Sequence, residues 1–222
     1  LSELISQDDF WGESIRKRAV QFSFDDGELL WNLNSLRHSM LLKLGRDWAD
    51  WDIEAAVDNH PADTADGRTH KTFPVRVYLD GLRSPFNAGS VMRTALAFGV
   101  EQCWFSPEGC SPDHRRARRS SMGAVDRIKW DVKTLKELSD TLTGTLFALE
   151  LGGADISDFE FPRSGTVIIG SEELGVSPPA LRRAENDGGI VSIHLPGPKA
   201  SLNAGVAFGI LLRQWIQSIN QR

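Results

Sequence analysis

From Val75 onward the chain alternates short apolar strands with helix-forming segments, and that alternation excludes most architectures. Val75, Val77 and Leu79 alternate with polar or amphipathic neighbours before Asp80 and Gly81 mark a turn, giving a strand that ends at about Leu79. Helical periodicity follows in the segment 87–98, with Val91, Ala95 and Phe98 on one face. VEQCWF is a second strand and SPEGCSPDH a loop. Beyond a basic segment, residues 128–130 form a short strand, 132–138 a helix and 144–149 another strand. Val167, Ile168 and Ile169 do not alternate with polar residues, so 166–169 reads as a strand buried on both faces. Ser177, Pro178 and Pro179 open a helix that continues through Arg183, and residues 189–195 supply the last strand. The expected fold is α/β, with a mostly parallel sheet covered by helices on both faces.

The first 74 residues read as a helical extension and linker, and 75–222 as the main domain. Leu29, Leu33, Leu36, Met40 and Leu44 recur at intervals of three and four, which places them on one helix face. Trp11, Trp31, Trp48 and Trp51 enrich the region in aromatics without a spacing suited to base stacking, and residues 58–72 have the composition of a loop. Residues 1–74 hold 14 acids and 8 bases, whereas 75–222 hold 16 acids and 17 bases. The acidity therefore belongs to the extension, and a basic patch remains available in the main domain. The sequence contains no apolar run long enough to cross a bilayer and no signal-peptide pattern at its start. Cys103 and Cys110 are the only cysteines and do not make a metal constellation. A reduced, cytoplasmic protein with no membrane partner and no metal is expected.

In a parallel α/β sheet, ligands bind beyond the C-terminal ends of the strands. Three loops stand out there: LRSPFNAGSVMR, GSEELG and LPGPKASLN. Neither a dinucleotide GxGxxG after the first strand nor a GxxxxGK[ST] phosphate loop is present. Glycine and proline spread over separate loops suit instead a ligand held by backbone amides and carbonyls, such as a nonphosphorylated nucleoside. The last loop leads into a helix carrying Ala204, Gly205, Ala207 and Gly209. Glycine costs helix stability, so the pair at 205 and 209 implies close approach of a ligand or another backbone.

Four segments in order, NAGSVMRTALAFGV, RRSSMGAV, VIIGSEELGVSP and SLNAGVAFGILL, resemble the motifs of the SpoU/TrmH branch of the SPOUT RNA methyltransferases. The resemblance covers roughly residues 75–222. It implies a Rossmann-like sheet whose C-terminal part is threaded into a deep trefoil knot, an exception to the rule that chains remain unknotted. It further implies a homodimer that binds S-adenosylmethionine in the knot and methylates ribose 2′-hydroxyls of tRNA or rRNA. A noncatalytic SPOUT-like RNA-binding or ribosome-assembly protein is the alternative.

Residue by residue, the resemblance places catalysis on Asn87 and Arg93. A guanidinium is a poor base, so Arg93 is best suited to fixing the neighbouring phosphate and stabilising developing oxyanion charge, with a role as base the second option. Asn87 is a helix cap, a positioner of Arg93, or both. Arg118 and Arg119, with Arg115 and Arg116 beside them, fall in the basic segment and are expected to meet RNA phosphate. Glu172 and Ser201 face the substrate side. Leu149, Leu151, Gly152, Ile169, Gly170, Ser171, Gly175, Ile193, Leu195, Ser201, Leu202 and Asn203 are the expected cofactor contacts. Three positions depart from the family pattern: Ser171 stands where asparagine is usual, His194 where proline is usual, and Ala204–Gly205 where valine–serine is common.

Overall fold

The computed structural model describes residues 2–20, 29–44, 71–199 and 201–221. The chain divides into two compact units, Leu1–Glu54 and Ala55–Arg222.

In the first unit, α1 (Ser2–Gln7), a 3-10 turn (Asp9–Trp11), α2 (Gly12–Val20) and α3 (Leu29–Lys43) surround a small apolar cluster. Ile5, Ile15, Ala19 and Leu36 are buried in it, with Trp11 and Met40 packed alongside. The expected stripe on α3 is only half realised. Leu36 and Met40 face the cluster, whereas Leu33 and Leu44 are exposed. The Leu29 and Trp31 side chains, Trp48, Trp51 and most of the loop at 58–72 lie outside the described residues.

The second unit is built on a six-stranded sheet: β1 (Phe73–Asp80), β2 (Val100–Phe105), β3 (Lys129–Val132), β4 (Thr145–Asp155), β5 (Gly165–Gly170) and β6 (Ile190–Ser192). The order is β3-β2-β1-β5-β4-β6, and every pairing is parallel. The helices are α4 (Pro85–Ala97), α5 (Arg115–Ser120), α6 (Leu135–Thr141), α7 (Pro178–Glu185) and α8 (Ala204–Asn220). Side chains alternate across the sheet and feed two cores. Val75, Val77, Leu79, Val167 and Ile169 join Ala88, Val91, Leu211 and Trp215 from α4 and α8 on one face. Tyr78, Trp104, Leu146 and Ile168 join Leu138, Ala180 and Ala184 from α6 and α7 on the other. A sheet covered on both faces explains why β5 is buried at all six positions and shows no polar alternation.

Several boundaries move. The third strand is Lys129–Val132, and its helix begins only at Leu135, behind a capping box made by Thr134 and Glu137. The fourth strand runs past Leu149 to Asp155 because it carries an irregularity: Leu149 and Ala154 both pair with Val191. Gly152, at φ +81°, and Gly153 belong to that bulge. A Cβ on Gly153 would sit 2.5 Å from the Ile190 carbonyl oxygen, so the glycine admits β6. The last strand stops at Ser192, which leaves Ile193 and Leu195 in the following loop. Helix α8 is held down by Trp215, whose indole N–H donates to the Pro162 carbonyl at 2.7 Å and whose ring packs edge-on against Phe147.

The order of strands fixes where a ligand belongs. From β1 the chain moves outward through β2 to β3, and from β5 it leaves in the opposite direction toward β6. Because β1 and β5 are neighbours, their exit loops diverge and open a crevice at the C-terminal edge.

Candidate active site

At that crevice the loop after β1 meets the loop after β5. Helix α4 starts there, with Ser84 as its cap and Pro85 in its first turn; the Ser84 hydroxyl accepts from the Asn87 N–H. Ser84, not Asn87, therefore caps the helix. A serine followed by proline was a readable start signal. The Asn87 side chain, freed from capping, is buried and bridges two other segments.

Its amide N–H donates to Glu172 Oε1 at 2.7 Å, and its Oδ1 accepts from Asn203 Nδ2 at 2.7 Å. A carboxylate only accepts, so Glu172 sets the orientation of both amides in turn. Asn203 is left with Oδ1 facing the start of α8, where it caps the Gly205 and Val206 N–H groups at 3.0 and 3.3 Å. Glu172 also receives the Arg83 and Ser84 backbone N–H groups, both at 3.1 Å. Three separated segments are thus joined by one chain of charge-assisted and capping bonds. Burial pushes the Glu172 carboxyl up, but the Asn87 side chain and the backbone N–H groups of Glu172, Arg83 and Ser84 outweigh it and hold the group below its ordinary value.

That direction has a consequence for acid stability. A carboxylate whose folded-state pKa is depressed contributes fully above its ordinary value, and the contribution is lost as pH falls through the folded value. Urea midpoints followed from about pH 7 to about pH 3 should fall less steeply in Glu172→Gln than in the unaltered chain. Parallel curves would show that this network contributes nothing to the acid limb.

Beside the network lies a cleft of about 630 Å³, within the usual range for small-ligand sites. Its walls are the ends of β4 and β5 and the loops that follow β5 and β6. Of the expected cofactor contacts, Leu149, Leu151, Ile169, Gly170, Ser171, Gly175, Ile193, Leu195, Ser201, Leu202 and Asn203 line it, as do Asn87 and Glu172. Gly152, in the β4 bulge, does not. Glu150, Glu173, Leu174, Val176, Leu181, Ala204 and Ala207 also line the cleft, beyond the contacts named individually. A lone acid near the end of the apolar strand LFALEL was the available signal for Glu150.

The departures from the family pattern find local explanations. Ser171 exchanges both backbone hydrogen bonds with Gly175, and its hydroxyl accepts from the Leu174 N–H at 3.2 Å, so it closes the turn without an amide. His194 is exposed, outside the cleft lining, and its backbone N–H helps to hold the Asp155 carboxyl low, after the stronger contributions of Ser157. Gly205 makes room for Ser90 of α4, whose Oγ lies 2.6 Å from where a Cβ would stand. Gly209 meets only ordinary van der Waals contact there, with Thr94 Cγ2 at 3.7 Å. Gly205 therefore serves helix–helix packing, whereas Ala204 and Ala207 line the cleft.

The cationic candidates lie outside the cleft lining. Gly89 packs against α5 and Ser90 against α8, which leaves Arg93 on the strip between them. Its guanidinium is exposed and has no hydrogen bond or ion pair among the described residues. On α5, Arg118 is held by Asp113 at 2.8 Å and by Asp126, so its charge is already matched. Arg115, Arg116 and Arg119 are exposed, and none has an ion pair among the described residues.

Comparison with known proteins agrees with this arrangement. The SpoU rRNA Methylase family matches residues 74–213. The chain is 30% identical over 184 residues to the 23S rRNA (guanosine-2′-O-)-methyltransferase RlmB of Xanthomonas campestris pv. campestris, covering 80% of this chain and 67% of that protein. It is 31% identical over 160 residues to an uncharacterized tRNA/rRNA methyltransferase of Mycobacterium bovis, covering 69% of this chain and 48% of that one. Among solved structures, it resembles the SpoU methyltransferase AviRb of Streptomyces viridochromogenes, solved in complex with the cofactor AdoMet. That match has a TM-score of 0.60 and 26% identity, over 71% of this chain and 62% of that chain. The chain thus spans about half the length of one relative and less than two thirds of that solved chain. The parallel, Rossmann-like sheet is that of the SPOUT knot fold. With the match running through both the network and the cleft, this chain belongs to the SpoU rRNA methylase family.

Proposed function

We propose that the chain transfers a methyl group from S-adenosylmethionine to a ribose 2′-hydroxyl of tRNA or rRNA. The observation that carries this reading is the joining of Asn87, Glu172 and Asn203, one from each of three motifs, at the rim of a cleft lined by the expected cofactor contacts. The cleft fits such a cofactor chemically. Its charged side chains among the described residues are Glu150, Glu172 and Glu173, and acidic walls favour a ligand that bears a sulfonium and an ammonium.

When bound, the cofactor supplies an electrophilic methyl group. Backbone groups of Ile169, Gly170, Ile193 and Leu202 hold its adenine and methionine portions, and Leu149, Leu195 and the methylene of Ser201 exclude water from its flanks. Asn87 and Glu172 fix the substrate side of the rim relative to α4. Arg93 holds the phosphate next to the target ribose and stabilises charge on the 2′-oxygen as its proton passes to solvent water. Arg119, with Arg115 and Arg116, takes further phosphates, while Arg118 braces α5 through Asp113 and Asp126.

Residues from 75 onward form the methyltransferase domain in this reading, and 1–74 an appended extension. The protein acts as a homodimer in the cytoplasm, where its RNA substrates are. Support for self-association comes from Phe86 on α4, Leu202 before α8 and Val206 and Ile210 on α8, large apolar residues between 38% and 53% exposed. No helix among the described residues is long and apolar enough to cross a membrane.

The test is methyl transfer from labelled cofactor to total tRNA and total rRNA, with nucleoside mapping of the product. Label in a 2′-O-methylnucleoside is expected. Measurable cofactor binding without transfer to either pool would leave a noncatalytic RNA-binding role in its place.

A further inference from the structure

The three acids of the cleft are not equivalent. Glu172 is engaged by Asn87 and two backbone N–H groups, and Glu173 pairs with the Arg83 guanidinium at 3.4 Å. Glu150 has no cationic partner among the described residues. Its Oε1 accepts from the Leu151 N–H at 2.9 Å and its Oε2 from the Val176 N–H at 2.8 Å. A carboxylate has about four acceptor positions, so each oxygen keeps one in reserve. The carboxylate is also fixed in place. A Cβ on Gly175 would stand 2.4 Å from Oε2, so the glycine is what allows the turn to close over the acid. The result is a rigid pair of oxygens in the cleft wall, partly exposed, with one acceptor position unused on each.

We infer that Glu150 reads the ribose of the adenosyl group, accepting one hydrogen bond from each of its vicinal 2′- and 3′-hydroxyls. The inference rests on the cofactor reading given above. A sulfonium carries no hydrogen to donate, and the rim facing the substrate is marked by Asn87 and Glu172. Glu150 is tied instead to Leu151, Gly175 and Val176, away from that network. Two vicinal O–H donors match the two oxygens of one fixed carboxylate. An acid near the end of a parallel strand serves the same purpose in dinucleotide-binding sheets, where it takes a ribose hydroxyl. Here the acid belongs to β4, and the sequence has no glycine fingerprint to announce it.

The experiment is calorimetric titration of the full chain with S-adenosylhomocysteine, its 2′,3′-dideoxy analogue and 5′-methylthioadenosine, which keeps the diol and lacks the amino-acid ammonium. The unaltered chain should bind the dideoxy analogue about tenfold to a hundredfold more weakly than the parent. Glu150→Ala should weaken the parent and 5′-methylthioadenosine alike and abolish the preference for the diol. Glu150→Gln, which retains one acceptor oxygen, should fall between. Equal binding of parent and dideoxy analogue by the unaltered chain overturns the assignment without recourse to any variant. Loss of S-adenosylhomocysteine affinity in Glu150→Ala with 5′-methylthioadenosine unchanged overturns it in favour of ammonium recognition. Failure of the unaltered chain to bind either S-adenosylmethionine or S-adenosylhomocysteine removes the cofactor reading itself, a separate and recognisable result.

Discussion

Arg93→Ala is expected to lower the rate of methyl transfer on the order of 10²–10³-fold, the usual effect of removing one preorganised donor from a developing oxyanion. Cofactor affinity should stay within about twofold, because Arg93 is not part of the cleft lining. Stability should change by less than about 0.5 kcal/mol, since the side chain is exposed and has no hydrogen bond or ion pair among the described residues to lose. That combination separates chemistry from structure. Arg93→Lys keeps the charge but not the planar fork, and should recover only a small part of the rate. Single-turnover transfer, cofactor titration and urea unfolding on the same preparations measure all three quantities. A parallel fall in affinity and stability would make Arg93 a structural residue; an unchanged rate would leave it a surface cation.

The position of Arg93 also shows what pattern reading can and cannot reach. The two-sided burial of Val167, Ile168 and Ile169 was legible because a parallel sheet under helices needs apolar residues on both faces. The residues that the family resemblance offered as cofactor contacts converge, all but Gly152, on one cleft. The β4 bulge was not legible. Its cause is the pairing of Leu149 and Ala154 with the same Val191, a contact between segments some forty residues apart. Gly152, which the resemblance offered as a cofactor contact, sits in that bulge and outside the cleft lining. The contacts of Asn87 were out of reach for a related reason. Its partners, Glu172 and Asn203, are 85 and 116 residues away, and only tertiary structure brings them together. What sequence alone shows at Asn87 is a capping residue type near a helix start, and Ser84 had the better claim to that role.

Gly170→Ala is expected to damage the cleft more than any other single methyl group. Gly170 ends β5, and a Cβ there would lie 2.1 Å from the Gly175 carbonyl carbon and 2.2 Å from the Val176 nitrogen. Both are backbone atoms, so no side chain can rotate aside. The turn must move instead. Ser171 and Gly175 exchange both of their backbone hydrogen bonds across it, and the Val176 N–H bonds Glu150. Relief of the clash thus breaks bonds on two sides of the cleft at once. The cost should stand at or above the top of the range of about 1–3 kcal/mol for overpacking, and displacement of the wall by about 1 Å should reduce transfer on the order of 10²-fold even in the fraction that folds. Gly152→Ala is the matching control. That residue has a conformation suited to glycine, φ +81°, but no atom lies within 4 Å of its added Cβ. It should lose only about 1–2 kcal/mol of backbone strain and keep cofactor affinity. Thermal unfolding and cofactor titration of the two variants therefore distinguish crowding from strain: equal losses of affinity at 170 and 152 would mean that the close approach of β5 to the turn does not build the cleft.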